Sequence, residues 1–215
     1  ANYWTYTDQI VASPRATISW QPNWKDSVQY EDTDSLVFRD RDWEFRFATG
    51  YYHQPPFYRE LREFAGVLNP EIRAQRSIHF VLGSDYLFKA LNRPFKLVTE
   101  VYYKHLTHLI PYEVDNVRIR YYATNNSKGY AAGIDMKLNG EFIPGIQSWA
   151  SLSVMQTQED ILDDFYFIDL NAAGDTIIPG FTDDNVVTDS ILLTPGYIPR
   201  NQDQRINFGL FFQDH

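Results

Sequence analysis

Hydrophobic and polar positions alternate with a period of two along most of this chain. In Arg76–Phe88 (RSIHFVLGSDYLF), Ile78, Phe80, Leu82, Tyr86 and Phe88 share one parity, interrupted by Ser84. Ser77, His79, Val81, Gly83 and Asp85 hold the other. Such a pattern predicts a strand with one apolar and one mostly polar face. Six further segments read the same way. RATISW sets Ala16, Ile18 and Trp20 on one side, and DWEFRFATGYY sets Trp43, Phe45, Phe47, Thr49 and Tyr51 against Glu44, Arg46, Ala48 and Gly50. FKLVTEVYYKHL opposes Phe95, Leu97, Thr99, Val101 and Tyr103 to Lys96, Glu100 and Lys104. YAAGIDMKL opposes Tyr130, Ala132, Ile134, Met136 and Leu138 to Gly133, Asp135 and Lys137. SWASLSVMQT and RINFGLFFQ complete the set, with Ala150, Leu152 and Val154, then Ile206, Phe208, Leu210 and Phe212, on the apolar side. Tyr3–Thr7 offers an eighth strand.

The connections are asymmetric. Ala90–Pro94 and Phe142–Gly145 read as tight turns, whereas Tyr52–Gln75, Ile110–Gly129 and Glu159–Asp203 are long. Counting strands places the short turns at one end and these long loops at the other. Pro22–Asp42 breaks the rule, being long but at the short-turn end. Tyr58–Phe64 (YRELREF) reads as a short helix within its loop.

Composition sharpens the choice of solvent for the apolar parity. Aromatic residues make up 16% of the 215 residues, with Trp, Tyr or Phe near the segment ends. The polar parity carries Gly, Ser, Thr, Asn and scattered opposite charges, which suits a wet lumen better than the charge-rich outer face of a sandwich. Transmembrane barrels combine these features: a lipid-facing band, aromatic girdles, short periplasmic turns and long extracellular loops. The pattern alone favours lipid over the core of a soluble β-sandwich and leaves both open. No run reaches ~18 apolar residues, so a transmembrane helix is not expected. The absence of cysteine excludes disulfides, thiol nucleophiles and zinc–thiolate sites, and a net charge of −9 argues against a nucleic-acid-binding surface.

Several stretches resemble the barrel of TonB-dependent outer-membrane receptors. PPFYRELREFAGVLNPEIRAQRSIHFVLGSDY is similar to a loop-and-strand signature of that family. EVYYKHLTHLIPYEVDNVRIRY, KGYAAGIDMKL, FIPGIQSWASLSVMQTQED and PGYIPRNQDQRINFGLFFQD follow in the family's order. The resemblance implies an all-β fold, an antiparallel transmembrane β-barrel segment of about eight strands. Residues 1–215 would then be the middle-to-late strands of one outer-membrane barrel domain, without the plug domain or the partner-binding box. It also implies a place in the outer membrane of a Gram-negative bacterium and active import of a large nutrient such as a siderophore or glycan. The implied partners are outer-membrane lipid, the rest of the barrel and plug, the energy-transducing TonB complex and, as a further candidate, a surface lipoprotein. Both chain ends read as the middle of something longer. The alternatives are a small self-closing outer-membrane barrel, whose filled interior must pair almost every charge, or a soluble aromatic-rich β-sandwich binding module.

Candidate site residues fall into two groups. Tyr52, His53, Phe57, Tyr58, Arg59 and Arg62 lie on a loop near the expected mouth. There aromatics stack on sugars or aromatic siderophore groups, and Arg pairs with carboxylates. The bland alternative, that they pack the loop against its neighbours, is favoured. Glu44, Arg46, His79, Asp85, Lys96, Glu100, Lys104, Asp135 and Lys137 are expected to face the lumen, with opposite signs on neighbouring strands suggesting a paired ladder. No metal site or cofactor is expected. His105 and His108 fall on opposite faces of a strand, and the acidic residues of 159–203 lack the spacing of a calcium loop, so they read as a solvated face. No catalytic constellation appears, so the chain reads as a non-enzyme.

Overall fold

The computed structural model describes residues 2–5, 7–29, 36–40 and 42–213. Among them the regular structure is entirely β. The chain begins with β1 (Asn2–Trp4), β2 (Gln9–Val11), β3 (Arg15–Trp20), β4 (Lys25–Gln29) and β5 (Leu36–Asp40). Then come β6 (Asp42–Gln54), β7 (Gln75–Ala90), β8 (Arg93–Leu109), β9 (Tyr112–Asp115) and β10 (Arg118–Tyr121). It continues with β11 (Ser127–Ile143), β12 (Ile146–Ile161), β13 (Tyr166–Leu170), β14 (Asp189–Leu193), β15 (Tyr197–Pro199) and β16 (Ile206–Gln213). The main sheet is an antiparallel meander in the order β15–β12–β11–β8–β7–β6–β3, with β16 also paired to β12. β15 and β16 share one edge of β12, at Gln158–Asp160 and at Gln147–Val154.

Local chemistry explains the tight end of the meander. Leu91 and Asn92 both take positive φ (53° and 58°), the two-residue geometry whose twist suits a hairpin. Gly145 (φ 80°) turns the chain between β11 and β12. The exceptional Pro22–Asp42 connection proves to be more hairpin than loop. β3 and β6 pair up to Trp20 and Phe45, and β4 and β5 resume in the same register at Lys25 and Asp40. Residues 30–35 and 41 of that connection lie outside the described residues.

Two expectations need correction. Tyr3–Thr7, of which Tyr6 lies outside the described residues, is not a strand of the main sheet. Instead β1 folds back on β2 through Asp8 (φ 51°), and the Tyr3 hydroxyl meets the Asp8 carboxylate at 2.5 Å. The sheet therefore reaches eight strands only because β15 and β16 count separately. Tyr58–Phe64 forms successive turns and an Arg62–Leu68 bridge rather than a helix. The sheet is open: β3 pairs only with β6, and β15 and β16 only with β12, among the described residues. Among the described residues no closed barrel is formed, which counts against the self-closing alternative.

Register and parity give the sheet two unlike faces. One row runs Phe47, Leu82, Val101, Ile134, Val154, Ile206 across six strands. Nothing among the described residues lies over it: Leu82 is 57% exposed and Phe208, one row away, 63%. More than a dozen large apolar side chains on this face are similarly bare. A half-exposed side chain of this size forgoes roughly 1 kcal/mol of burial. The sum over the face rivals the whole stability of an ordinary domain, ~5–15 kcal/mol. Water is therefore a poor solvent for it.

Rings border this face at both ends. At the short-turn end Trp24, Trp20, Phe45, Trp43, Tyr86, Phe88, Phe95, Phe142 and Phe212 touch in succession, the tightest pair being Trp43–Tyr86 at 4.2 Å. Gly140 is part of this row's design, because a Cβ there would enter the Phe95 ring, and Phe95 is buried against it. At the other end Tyr103, Tyr130 and Tyr197 form a second row. The hydrophobic core proper lies outside the sheet. Leu61, Ile72, Ile110 and Ala123, flanked by Leu68 and Tyr121, join the 55–74 and 110–126 connections into a small cap. The β1–β2 hairpin is tied to it by the Gln9 amide, which donates to the Ile72 carbonyl and accepts from the Ala74 N–H.

Candidate functional site: the polar face and its rim

The polar parity places Glu44, Arg46, His79, Asp85, Lys96, Glu100, Lys104, Asp135 and Lys137 on one face of β6, β7, β8 and β11. Four of them form a network. The Asp85 carboxylate, buried in the sheet wall, receives Arg46 Nη2 and Lys96 Nζ at 2.6 Å each, from the strands on either side. Glu100 Oε1 stands 3.9 Å from the same Arg46 nitrogen, with side-chain-free Gly83 between them in the register. A buried carboxylate persists when cations satisfy both its oxygens. The other members stand apart from this network. Glu44 is directly across from Asp85, and Asp135 directly across from Glu100. Lys137 Nζ lies 4.8 Å from the Trp149 ring centre and Lys104 Nζ 5.0 Å from that of Tyr102. The expected ladder is therefore one ionic knot plus cations resting on rings.

Five of the six expected mouth residues divide between two recesses. Tyr58, Arg59 and Arg62 line a recess of about 230 Å³ together with Phe64, Arg120 and Tyr121. This recess lies between the 55–74 connection and the β9–β10 hairpin. Arg62 donates to the Tyr58 hydroxyl, and the Arg120 guanidinium lies 5.1 Å from the Phe64 ring centre while also pairing with Asp115 at 3.2 Å. Phe57 is not in the recess. It is 64% exposed, and its N–H donates to Glu60 at 2.7 Å. Glu60 is buried, and desolvation pushes its carboxyl above the ordinary range against hydrogen bonds from Phe57 and Gln75. Burial and nearby carboxylates likewise raise the Tyr121 and Tyr122 phenols, Glu60 acting on the first and Glu113 on the second.

Tyr52 and His53 border a different recess, of about 380 Å³, at the long-connection end of the sheet, with His79, Arg76 and Arg200 also in its lining. Here Tyr52 is central. His79 stacks on it from β7 at 4.0 Å, and the Arg15 guanidinium lies 4.1 Å from its ring centre from β3. Arg200 pairs with Glu159 at 3.2 Å, and Arg76 donates to the Thr107 hydroxyl at 3.0 Å.

Comparison with protein-family models, with curated proteins and with solved structures finds no match for this chain.

Sequence reading missed Arg15, Arg76 and Arg200. Each is a lone arginine at a strand or loop margin, and only the cross-strand register brings them to the Tyr52 recess. Glu60 was also missed, and its signal was present in YRELREF: a carboxylate beside Leu61, which is buried. No group of three or more His, Asp or Glu side chains gathers as a metal would require, among the described residues.

Proposed function

We propose that this chain forms part of the wall of a transmembrane β-barrel in the outer membrane of a Gram-negative bacterium. One observation carries the reading: a continuous, uncovered apolar face spans the sheet between two aromatic rows, while the opposite face carries the charges, four of them in an ionic knot. From the Phe88 row to the Ile78 row is roughly 33 Å of strand, or roughly 25 Å along the axis of a barrel tilted ~40°. That matches the ~25 Å apolar band such barrels carry. The polar face then lines a water-filled lumen, the short turns are periplasmic, and the cap of 55–74 and 110–126 is extracellular. Further strands continue the sheet from β3 and from β15 and β16. An open sheet of this kind is favoured over a small self-closing barrel.

The resemblance in strand order to TonB-dependent receptors supports a finer reading. The barrel belongs to an active importer of a large nutrient, with a plug and the energy-transducing complex as partners. The denatured intact mass of the native protein from isolated outer membranes tests this. A mass several times 25.2 kDa is expected. A mass near that value, or recovery of the protein in detergent-free buffer, overturns the importer reading in the first case and the barrel reading in the second.

A further inference from the structure

Four polar-face charges share the Asp85 knot, and a second cluster of cations has no carboxylate partner among the described residues. Arg15 begins β3 and faces Gly50 across the ladder, and its Cγ lies 2.8 Å from where a Cβ of residue 50 would stand. The missing side chain lets Arg15 lie flat along β6 and reach the Tyr52 ring at 4.1 Å. On Tyr52's other flank His79 stacks at 4.0 Å, and His79 is directly across from Lys104 in β8. Arg15, Tyr52 and His79 thus make a continuous stack over β3, β6 and β7, and Lys104, whose Nζ lies 5.0 Å from the Tyr102 ring centre, adds a cation from β8. A guanidinium held over a ring by a cation–π contact keeps its N–H donors available to a planar anion.

Among the described residues, no carboxylate lies within ion-pair distance of Arg15 or Lys104. The polar-face carboxylates that form ion pairs take other cations: Asp85 takes Arg46 and Lys96, and Glu159 takes Arg200. Tyr52 and His79 of the cluster line the recess of about 380 Å³, together with Arg76 and Arg200. In a chain of net charge −9 this is a local excess of positive charge over an open, wet cavity. Planar, pre-oriented guanidinium edges beside a lysine recognise oxyanions in preference to neutral solutes.

We propose that Arg15, Tyr52, His79 and Lys104 form an oxyanion subsite on the polar face, taking a small solute that bears carboxylate or phosphate groups. Arg15 supplies the bidentate fork, Tyr52 and His79 hold that fork in plane, and Lys104 adds the second cation. The assignment rests on the polar face being the lining of an aqueous lumen.

The test is calorimetric titration of the native protein, purified in detergent micelles, with citrate, with pyrophosphate and with the neutral polyol sorbitol. Citrate or pyrophosphate binding is expected, weakening with added salt, and sorbitol binding is not. Arg15→Gln and Lys104→Gln should each weaken the oxyanion by at least ~10-fold. Arg15→Lys, which keeps the charge but loses the fork, should fall between wild type and Arg15→Gln. Arg118→Gln, on the distant β10, should leave binding unchanged and controls for bulk charge. Which of the two anions binds more tightly separates a carboxylate solute from a phosphorylated one. Equal binding in wild type and Arg15→Gln, or no binding of either anion, overturns the subsite. Recovery of the same protein without detergent would instead overturn the barrel reading, so the two failures are distinguishable.

Discussion

The sheet and the cap are built on opposite principles. In the cap, Ile72 is 1% exposed, and Leu61, Ile110 and Ala123 close around it as in any small globular core. In the sheet, side chains of the same chemistry stand bare by the row, while the buried groups include a carboxylate, Asp85. The cap supplies its own interior; the sheet's apolar face needs one from elsewhere. The proposed barrel assigns the lipid acyl chains to that role and leaves the cap in water.

The contrast can be broken or sharpened in order of expected effect. Ile72→Ala should cost the cap about 2–5 kcal/mol through lost contacts and a residual cavity. Hydrogen exchange would then quicken in 55–74 and 110–126 and remain unchanged in β7 and β8. Spread of the effect into the sheet would mean that the two regions are one cooperative unit. Leu82→Arg, at mid-face, should cost roughly 2–4 kcal/mol when folding is measured by denaturant titration in lipid vesicles. On a water-facing surface the same change at a half-exposed position stays within ~0.5 kcal/mol, so a negligible cost contradicts lipid contact.

Asp85→Asn should be milder, roughly 1–3 kcal/mol in the same titration. It leaves Lys96 without a counter-charge and Arg46 with Glu100 alone at 3.9 Å, but both cations remain partly open to solvent, which screens the loss. Glu60 gives the smallest effect and a sign. Its folded pKa lies above the unfolded value, so its contribution to cap stability is fully present below the unfolded pKa and is lost as pH rises through the folded one. Cap protection factors, corrected for intrinsic exchange, should therefore be higher near pH 4 than near pH 7. Glu60→Gln should flatten that dependence, and a wild-type cap more protected at neutral pH would reverse the assignment.

How much of this was legible beforehand follows from the range of each signal. The alternation of Phe80, Leu82 and Tyr86 against His79, Gly83 and Asp85 is local, and the strands it implies are present with the faces it implies. The same parity placed all nine polar-face residues on one side, because β register preserves it across neighbours. Tyr3–Thr7 failed because a short alternating run cannot show whether it pairs with a long strand or, through Asp8, with itself. The β4–β5 extension was hidden because a hairpin that keeps its neighbours' register has no signature beyond their pattern. In YRELREF the helical spacing gave way to burial of Leu61 and Glu60 against a segment some fifty residues away. Tyr52 and Tyr58, six apart in sequence, went to separate recesses for the same reason: one stays on a strand and the other follows the cap.

Residues 1–215 contain no cysteine, so single spin-labelled cysteines can be placed in this sheet without background from it, and any cysteine elsewhere in the native protein is first replaced by serine. Positions 78–88 of β7 would be scanned in the native protein reconstituted into lipid vesicles, reading collision rates with oxygen and with a water-soluble nickel chelate. The barrel-wall account predicts a period of two. Oxygen collisions should peak at 78, 80, 82, 84 and 86, and chelate collisions at 79, 81, 83 and 85. Even positions shielded from both reagents, or open to the chelate, would contradict it.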